Sequence, residues 1–203
     1  MFTVSTLSSK YHHGDLRVAL LKEGIALIQD SGPEGLTLRK LAERLGVSAM
    51  APYRHYPNKE SLLAAIAADG FQQLKTRLEA AEQSSSTASS PLLAEGIAYV
   101  QFALDCPAIF RLMFGATRPQ GQYAELDAAR TGAFDVLLRQ IPGTATSNER
   151  AAKARGCWAL VHGLALLLLD GLLQVPEGVA PAAWLTEVIG STVTKKGGTT
   201  CAN

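Results

Sequence analysis

The chain has 203 residues, 47% of them hydrophobic, and a formal net charge of +1 at neutral pH. This length suits one large domain or two small ones, and with so little net charge any nucleic-acid-binding surface must be local. The three cysteines form no CxxC pair, which favours a reducing compartment over a disulfide framework. The first ten residues contain no apolar segment of signal-peptide length, so we expect a cytoplasmic protein.

The N-terminal third begins with a patternless segment, residues 1–9, which we expect to be disordered. Asp15 is a candidate N-cap for a first helix, because a short carboxylate accepts hydrogen bonds from free N–H groups. Apolar residues recur at helical spacing from Leu21 to Ile28, and the sequence DSGP at 30–33 ends the helix.

Two short helices are predicted next, joined by a glycine. Thr37 is a candidate cap for the first, whose apolar face is formed by Leu38, Leu41, Ala42 and Leu45. Gly46 provides the tight exit, Ser48 is placed to cap a helix over 49–56, and Pro57 ends that helix. Asn58 then caps a longer helix that continues to about Gln83. Two short helices joined in this way form a helix-turn-helix, the second helix of which enters a DNA major groove.

The segment GDLRVALLKEGIALIQDSGPEGLTLRKLAERLGVSAMAPYRHYPNKESLLAAI resembles the N-terminal DNA-binding domain of the TetR family of bacterial transcriptional repressors. The resemblance covers about residues 10–71 and implies a helix-turn-helix domain there, followed by a helical effector-binding and dimerisation domain over 72–196. It also implies binding of a homodimer to an operator in double-stranded DNA.

Nine residues of this segment are predicted to contact DNA. Hydroxyls and free N–H groups at helix N-termini can hold phosphates, and a lysine or a tyrosine can add a contact to the same backbone. Arginine can bind a guanine edge with two hydrogen bonds, and small or apolar side chains can contact a thymine methyl. The predicted contacts are Thr37, Arg39, Ser48, Ala49, Met50, Tyr53, Arg54, His55 and Lys59. Lys10, His12 and His13 are candidates for the adjacent minor groove.

Two features of this segment are unusual for a DNA-binding domain. Pro52 removes the first helical hydrogen bond of the recognition helix, so its N-terminal turn is expected to be strained or partly 3₁₀. Residues 1–70 carry eight Lys and Arg against seven Asp and Glu, so the basic face must come from patterning and helix dipoles. For His55, packing on the protein surface is as well supported as contact with a phosphate.

The rest of the chain contains no convincing strand pattern, and the whole is predicted to be all-α. A small polar run, SSSTASSP at 84–91, separates the two parts, and residues 197–203 are expected to be disordered. Further helices are predicted at about 92–105, 107–115, 121–141, 148–174 and 181–194. The apolar run ALVHGLALLLLDGLL at 159–173 is too short to span a bilayer, so a buried helix is favoured.

Aromatic and methionine side chains in these helices are candidates for an apolar effector pocket. They are Tyr99, Phe102, Phe110, Met113, Phe114, Trp158 and His162. For each aromatic or Met residue the alternative is plain core packing, and for His162 it is a satisfied core or interface histidine. The segments CWALVHGLALLLLDGLL and CPAIFRLMFG are similar to one subgroup of TetR C-terminal domains with a Trp-His-Gly pattern. We expect the helices at 148–174 and 181–194 of two subunits to form a four-helix interface.

Catalysis has little support in the sequence. Cys157 and His162 lie five residues apart and do not share a helix face, and no metal-ligand spacing is present. We therefore expect no enzyme activity, no cofactor and no metal. The leading hypothesis is a ligand-responsive dimeric repressor. The alternatives are a small-molecule-binding protein whose DNA-binding domain is degenerate, and a regulator that responds to no ligand.

Overall fold

The computed structural model describes residues 13–85, 90–141 and 146–193, and within these ranges it contains helices and no strand. The α-helices are α1 (His13–Ser31), α2 (Leu38–Arg44), α3 (Lys59–Ser84), α4 (Pro91–Asp105), α5 (Pro107–Phe114), α6 (Ala124–Gln140), α7 (Ser147–Leu169) and α8 (Pro181–Val193). Two short 3₁₀ helices span Pro33–Gly35 and Pro52–Arg54. The all-α prediction is confirmed. The predicted arm with Lys10 and His12, the disordered ends 1–9 and 197–203, and residues 86–89 of the polar run lie outside the described residues.

The turn after α2 is set by local sequence. The hydroxyl of Thr37 accepts a hydrogen bond from the Lys40 N–H at 3.1 Å, which confirms the predicted cap. At the other end Gly46 adopts a φ of +65°, and the N–H of Val47 reaches back to the carbonyl of Ala42 at 3.0 Å. This pattern satisfies free carbonyls at the helix end and needs a residue without a Cβ in the left-handed region.

Helix α3 connects the two parts of the chain. It starts at a capping box in which Asn58 accepts from the Ser61 N–H at 2.8 Å and Ser61 accepts from the Asn58 N–H at 3.3 Å. It packs against α1 of the N-terminal part and against α4, α5 and α6 of the C-terminal part. The predicted domain boundary between residues 71 and 72 falls inside this helix, and the buried core continues across it, so that boundary stays a prediction.

The C-terminal helices surround α4, which packs against α3, α7 and α8. The chain bends by 106° between α4 and α5, at Cys106 and the proline that follows. The bend follows from Pro107, which disfavours helical geometry in the residue before it. It places α5 against α3 and against α1, the first helix of the N-terminal part.

Three predicted helix ends differ from the structure. Helix α1 begins at His13, so Asp15 lies inside the helix and is not its cap. Helix α6 begins at Ala124 and not at 121. Helix α7 ends at Leu169 and not at 174, because Gly171 adopts a φ of +69° and Leu172 donates back to the Leu167 carbonyl at 3.0 Å.

Among the described residues, helix α7 is buried on one side only. Val161, Leu164 and Ala165 are buried against the chain's own core, whereas Ala159 and Leu167 are exposed. The side of this helix predicted to face the chain's own core is confirmed, and the open apolar face is the side predicted to meet a partner subunit, which stays a prediction. By length and composition alone, α7 is the one described helix that could cross a membrane.

Candidate functional site

The first candidate site is the exposed turn, residues 48–56, which follows α2. Ala51 donates to the Ser48 carbonyl at 2.9 Å and His55 to the Pro52 carbonyl at 3.0 Å, both three residues back. The segment is therefore a turn followed by a 3₁₀ helix, and the predicted α-helix over 49–56 is wrong. Pro52 explains the difference because it has no N–H and its ring crowds the preceding turn. The predicted partly 3₁₀ geometry is confirmed.

The two faces of the exposed turn differ in burial. Pro52 and Tyr56 are buried against the core. Met50 and Tyr53 are 68% and 44% exposed, and Arg54 is also exposed. Met50 thus presents an apolar side chain beside the polar ends of Tyr53 and Arg54.

The other predicted DNA-contacting residues lie on both sides of this turn. Thr37 and Arg39 are exposed, and the Arg39 guanidinium forms an ion pair with Glu43 at 3.2 Å. Lys59 is half-buried, and its ammonium donates to the Glu34 carbonyl at 3.4 Å. His55 is also half-buried and lines a small cavity of about 230 Å³ next to the start of α6. Ser48 and Ala49 are exposed.

The second candidate site is a cavity of about 850 Å³ enclosed mainly by α3, α4, α6, α7 and the segment after α5. Five predicted pocket residues line it: Tyr99, Met113, Phe114, Trp158 and His162. Phe102 and Phe110 do not line it, because both are fully buried in the core. Those two predictions are wrong, and the alternative of core packing holds for both residues.

A hydrogen-bonded chain of three side chains forms part of the cavity wall. The indole N–H of Trp158 donates to the Tyr99 hydroxyl at 3.1 Å, and that hydroxyl lies 2.9 Å from Nδ1 of His162. Because the hydroxyl accepts from the indole, its own proton is free to be donated to Nδ1. Burial lowers the pKa of His162, which favours the neutral ring that this arrangement requires. Burial raises the pKa of Tyr99, although the Trp158 N–H partly opposes the shift.

A buried carboxyl group lies among the apolar residues of this wall. Glu95 on α4 is only 2% exposed and lines the cavity, and neither of its carboxyl oxygens has a hydrogen-bond partner. Its pKa is raised to about 7, chiefly because burial disfavours the charged form and secondarily because Glu82 is near. The Gln140 side chain, as a nearby donor, and the charge of Arg139 shift the pKa downward without cancelling this effect, although Gln140 forms no bond to Glu95 with hydrogen-bond geometry.

The segment between α5 and α6 connects the cavity to the start of α3. Arg118, Gln120 and Gly121 line the cavity. The backbone N–H groups of Gln120 and Gly121 both donate to Oε1 of Glu60, at 3.1 and 3.3 Å. Glu60 lies in the first turn of α3, next to Lys59. One carboxylate therefore joins this cavity wall to the start of α3.

Sequence reasoning missed Glu95, Glu60 and the segment after α5. A signal for Glu95 exists, because it is the only charged residue in the run PLLAEGIAYVQF and lies one helical turn before Tyr99. No local signal marks the contact between Glu60 and Gln120, because it joins residues far apart in the chain.

The described residues offer no conventional catalytic arrangement. Burial raises the pKa of the Cys157 thiol, whereas an activated nucleophile has a lowered pKa. Among the described side chains, no group of three or more His, Cys, Asp and Glu residues could hold a metal ion.

Comparison with protein families matches two models. Residues 20–66 match the model for bacterial regulatory proteins of the tetR family, and residues 92–189 match a tetracyclin repressor-like C-terminal domain. Together the matches contain the exposed turn and most of the residues that line the cavity. The resemblance to the Trp-His-Gly subgroup stays a prediction.

Individual relatives agree with these matches. The class C tetracycline repressor protein of Escherichia coli is 51% identical over 51 residues, which are 25% of this chain and 23% of that protein. The chain thus spans about a quarter of that relative's length. A solved structure of a Rhodococcus protein of unknown function is 30% identical, with a TM-score of 0.76 over 91% of this chain and 96% of the other. A tetR-family regulatory protein, also from Rhodococcus, shares the fold at 22% identity, with a TM-score of 0.60 over 87% and 94% of the two chains.

Proposed function

Because this chain belongs to the TetR family of bacterial regulatory proteins, we propose that it is a homodimeric repressor that a small apolar effector releases from a palindromic operator. The observation that carries the proposal is the pairing of two sites in one chain. An exposed turn with the side chains of a DNA reader lies at one end, and a largely apolar cavity lies in the helical part. The family consists of transcription regulators, which are not enzymes.

The DNA-binding part, residues 10–71, would contact both the bases and the backbone. Arg54 and Met50 are the base-contacting candidates with the greatest reach, because both are exposed on the turn that enters the major groove. Thr37, Ser48, Tyr53 and Lys59 are proposed phosphate contacts, for the hydroxyl, N–H or ammonium that each supplies.

The remaining predicted DNA contacts have specific roles in this proposal. Ala49 would contact a thymine methyl, and Arg39 would exchange its exposed ion pair with Glu43 for a base or a phosphate. His55, half-buried near α6, is better supported as a packing residue than as a phosphate contact.

The effector-binding part, residues 72–196, would couple ligand to DNA through the wall after α5. A ligand that fits the cavity only when this wall moves would favour a second position of α3, and only such a difference in affinity can shift the conformation. The hydrogen bonds from Gln120 and Gly121 to Glu60 supply a physical connection for that shift. The two recognition turns of a dimer would then no longer match their half-sites.

The dimer is proposed to form through α7 and α8, within the predicted segments 148–174 and 181–194. Gly156 and Gly163 on α7 have no atom within 4 Å of the position where a Cβ would lie, so this face is open to close approach. Exposed Ala159 and Leu167 extend the same helix, and apolar surface of this kind favours a partner. We propose that the protein acts in the cytoplasm, with no membrane and no cofactor involved.

A second candidate function is a small-molecule-binding protein that no longer reads DNA. The 3₁₀ geometry of the exposed turn favours it, because a recognition element without a regular helix presents its side chains differently from an α-helix. The near balance of acidic and basic residues in 1–70 supports it as well.

Selection of bound sequences from random duplex DNA, at low and at physiological salt, tests both candidates. We expect a palindromic consensus that Arg54→Ala weakens at one base position in each half-site. Arg139→Ala is the matched control, because this exposed arginine contacts Glu79 in the distal half of α3 and should leave the consensus unchanged. Absence of any enrichment at low salt would contradict the repressor and favour the second candidate.

A further inference from the structure

The cavity contains one group that its own surroundings leave unsatisfied. Both carboxyl oxygens of Glu95 are shielded from solvent and have no hydrogen-bond partner among the described residues, and the nearby Gln140 amide does not reach them with hydrogen-bond geometry. By contrast, the polar groups of Tyr99, Trp158 and His162 at this wall satisfy one another. Buried polar groups in folded proteins are nearly always paired, so a buried carboxyl group without a partner calls for a specific explanation.

We propose that Glu95 is the recognition group for the positively charged nitrogen of an amphipathic organic amine, whose apolar body fills the rest of the cavity. This inference rests on the proposed effector function and specifies the chemical class of the effector. A protonated amine supplies both the charge and the hydrogen-bond donors that the carboxylate lacks. Glu95 lines the cavity while its oxygens are shielded, so the proposal includes a change of its side-chain rotamer that presents the carboxylate to the ligand.

The remainder of the wall suits the apolar body of such a ligand. Phe71, Leu74 and Leu78 of α3 contribute apolar surface, and the rings of Phe114 and Trp158 lie 6.1 Å apart. Aromatic rings also attract a cation through their negative faces, which adds to the carboxylate and does not compete with it.

The arginines at the cavity suggest the opposite chemistry, an anionic ligand, but their contacts argue against it. Arg130 forms an ion pair with Asp127 at 3.3 Å, and Arg118 donates to the Gly115 carbonyl at 3.3 Å. Both of these cations therefore already have acceptors, and the third arginine at the cavity, Arg155 on α7, is exposed to solvent. An anion held by them would also leave Glu95 unpaired against the ligand's apolar body.

Three probes with one ring system separate these possibilities: 2-(1-naphthyl)ethylamine, 2-(1-naphthyl)ethanol and 1-naphthaleneacetic acid. Binding is measured at pH 8 by calorimetry on the full-length protein, for the wild type, Glu95→Gln and Glu34→Gln. Glu34 is an exposed residue outside the cavity and serves as the matched control. We expect the wild type to bind the amine at least about tenfold more tightly than the alcohol, since a charge-assisted hydrogen bond contributes about that much.

In Glu95→Gln this preference should fall to within about twofold, with binding of the alcohol retained, whereas Glu34→Gln should behave as the wild type. Retained binding of the alcohol also shows that the variant is folded. Equal binding of amine and alcohol by the wild type, a preference that survives Glu95→Gln, tightest binding of the acid, or no binding of the amine would each overturn the proposal. DNA binding measured in parallel tests the repressor separately, because an amine that binds through Glu95 without releasing DNA leaves this inference standing and contradicts the effector function.

Discussion

The exposed turn and the cavity differ in how the hydrogen-bonding groups of their side chains are satisfied. At the exposed turn, Tyr53 and Arg54 face solvent, so water satisfies them until another molecule replaces it. In the cavity, the Tyr99 hydroxyl already has two protein partners and Glu95 has none. The first site can therefore exchange water for phosphates and bases at little cost, whereas the second selects its ligand through one unsatisfied group.

The largest expected effect comes from removing the buried charge with Glu95→Gln. The pKa of Glu95 is about 7 in the folded chain against an ordinary 4.5, so the folded state binds this proton more tightly than the unfolded state does. The contribution of Glu95 to stability is therefore complete below about pH 4.5 and is lost as the pH rises through 7.

At pH 8 the Gln variant should be more stable than the wild type by about 2–3 kcal/mol, and most of that gap should close at pH 5. Urea unfolding at the two pH values measures it, with Glu34→Gln as the exposed control. A gap of equal size at both pH values would mean that the carboxyl group does not titrate as its burial requires.

Removing the hydroxyl oxygen from one tyrosine in each region tests this difference between the exposed turn and the cavity. Tyr99→Phe leaves the Trp158 N–H and the His162 Nδ1 without their shared partner, so it should cost about 1–3 kcal/mol of stability. Tyr53→Phe should leave stability unchanged and weaken operator binding by the worth of one hydrogen bond, about 0.5–1.5 kcal/mol. Thermal unfolding and DNA titration of both variants measure the two effects. The comparison fails if Tyr53→Phe is the more destabilising change.

Alanine substitutions at two glycines test whether the left-handed backbone at Gly46 positions the exposed turn. Gly46→Ala places a Cβ on a residue with a φ of +65° and should cost about 1–2 kcal/mol, with a parallel loss of DNA affinity. Gly132→Ala, inside α6, meets only the side chain of Lys75 at ordinary contact distance and should stabilise by about 0.5–1 kcal/mol. Chemical denaturation and DNA titration distinguish the two variants, and equal effects on stability would remove the role assigned to the left-handed turn.

The smallest expected effect concerns the link between the regions. Glu60→Ala removes an exposed acceptor at the start of α3, which should cost less than about 1 kcal/mol. Hydrogen–deuterium exchange in the segment 115–123 should nevertheless become faster, because the N–H groups of Gln120 and Gly121 lose their acceptor. Glu34→Ala should leave that exchange unchanged. Unaltered exchange in Glu60→Ala would show that the segment is held by other contacts.

The parts of the molecule that sequence predicts well are those with local causes. Thr37, Gly46 and Asn58 act within a few residues of themselves, so their caps and turns are confirmed. Pro52 also acts locally, and the 3₁₀ geometry expected from it is present at Pro52–Arg54. The 3₁₀ helix and the turn before it replace the whole of the predicted α-helix.

The errors concern properties that depend on distant residues. Phe110 and Phe114 lie in one short helix with the same side chain, yet one is core and the other lines the cavity. Which of the two faces the cavity depends on how α4 and α7 pack against α5, and the spacing within α5 does not contain that information. The early end of α7 has a local cause at Asp170–Gly171. The apolar residues on both sides of this pair nevertheless favoured a prediction that the helix continues to residue 174.

The hydrogen bonds from the segment after α5 to Glu60 also constrain how this regulator could be adapted to a new inducer. The cavity can be reshaped at Leu92 or Val161, which line it from α4 and α7. Substitutions at 118–121 would alter inducer choice and operator affinity together, because the same residues line the cavity and hold the first turn of α3. Engineering of this protein as a biosensor would therefore start with the α4 and α7 walls.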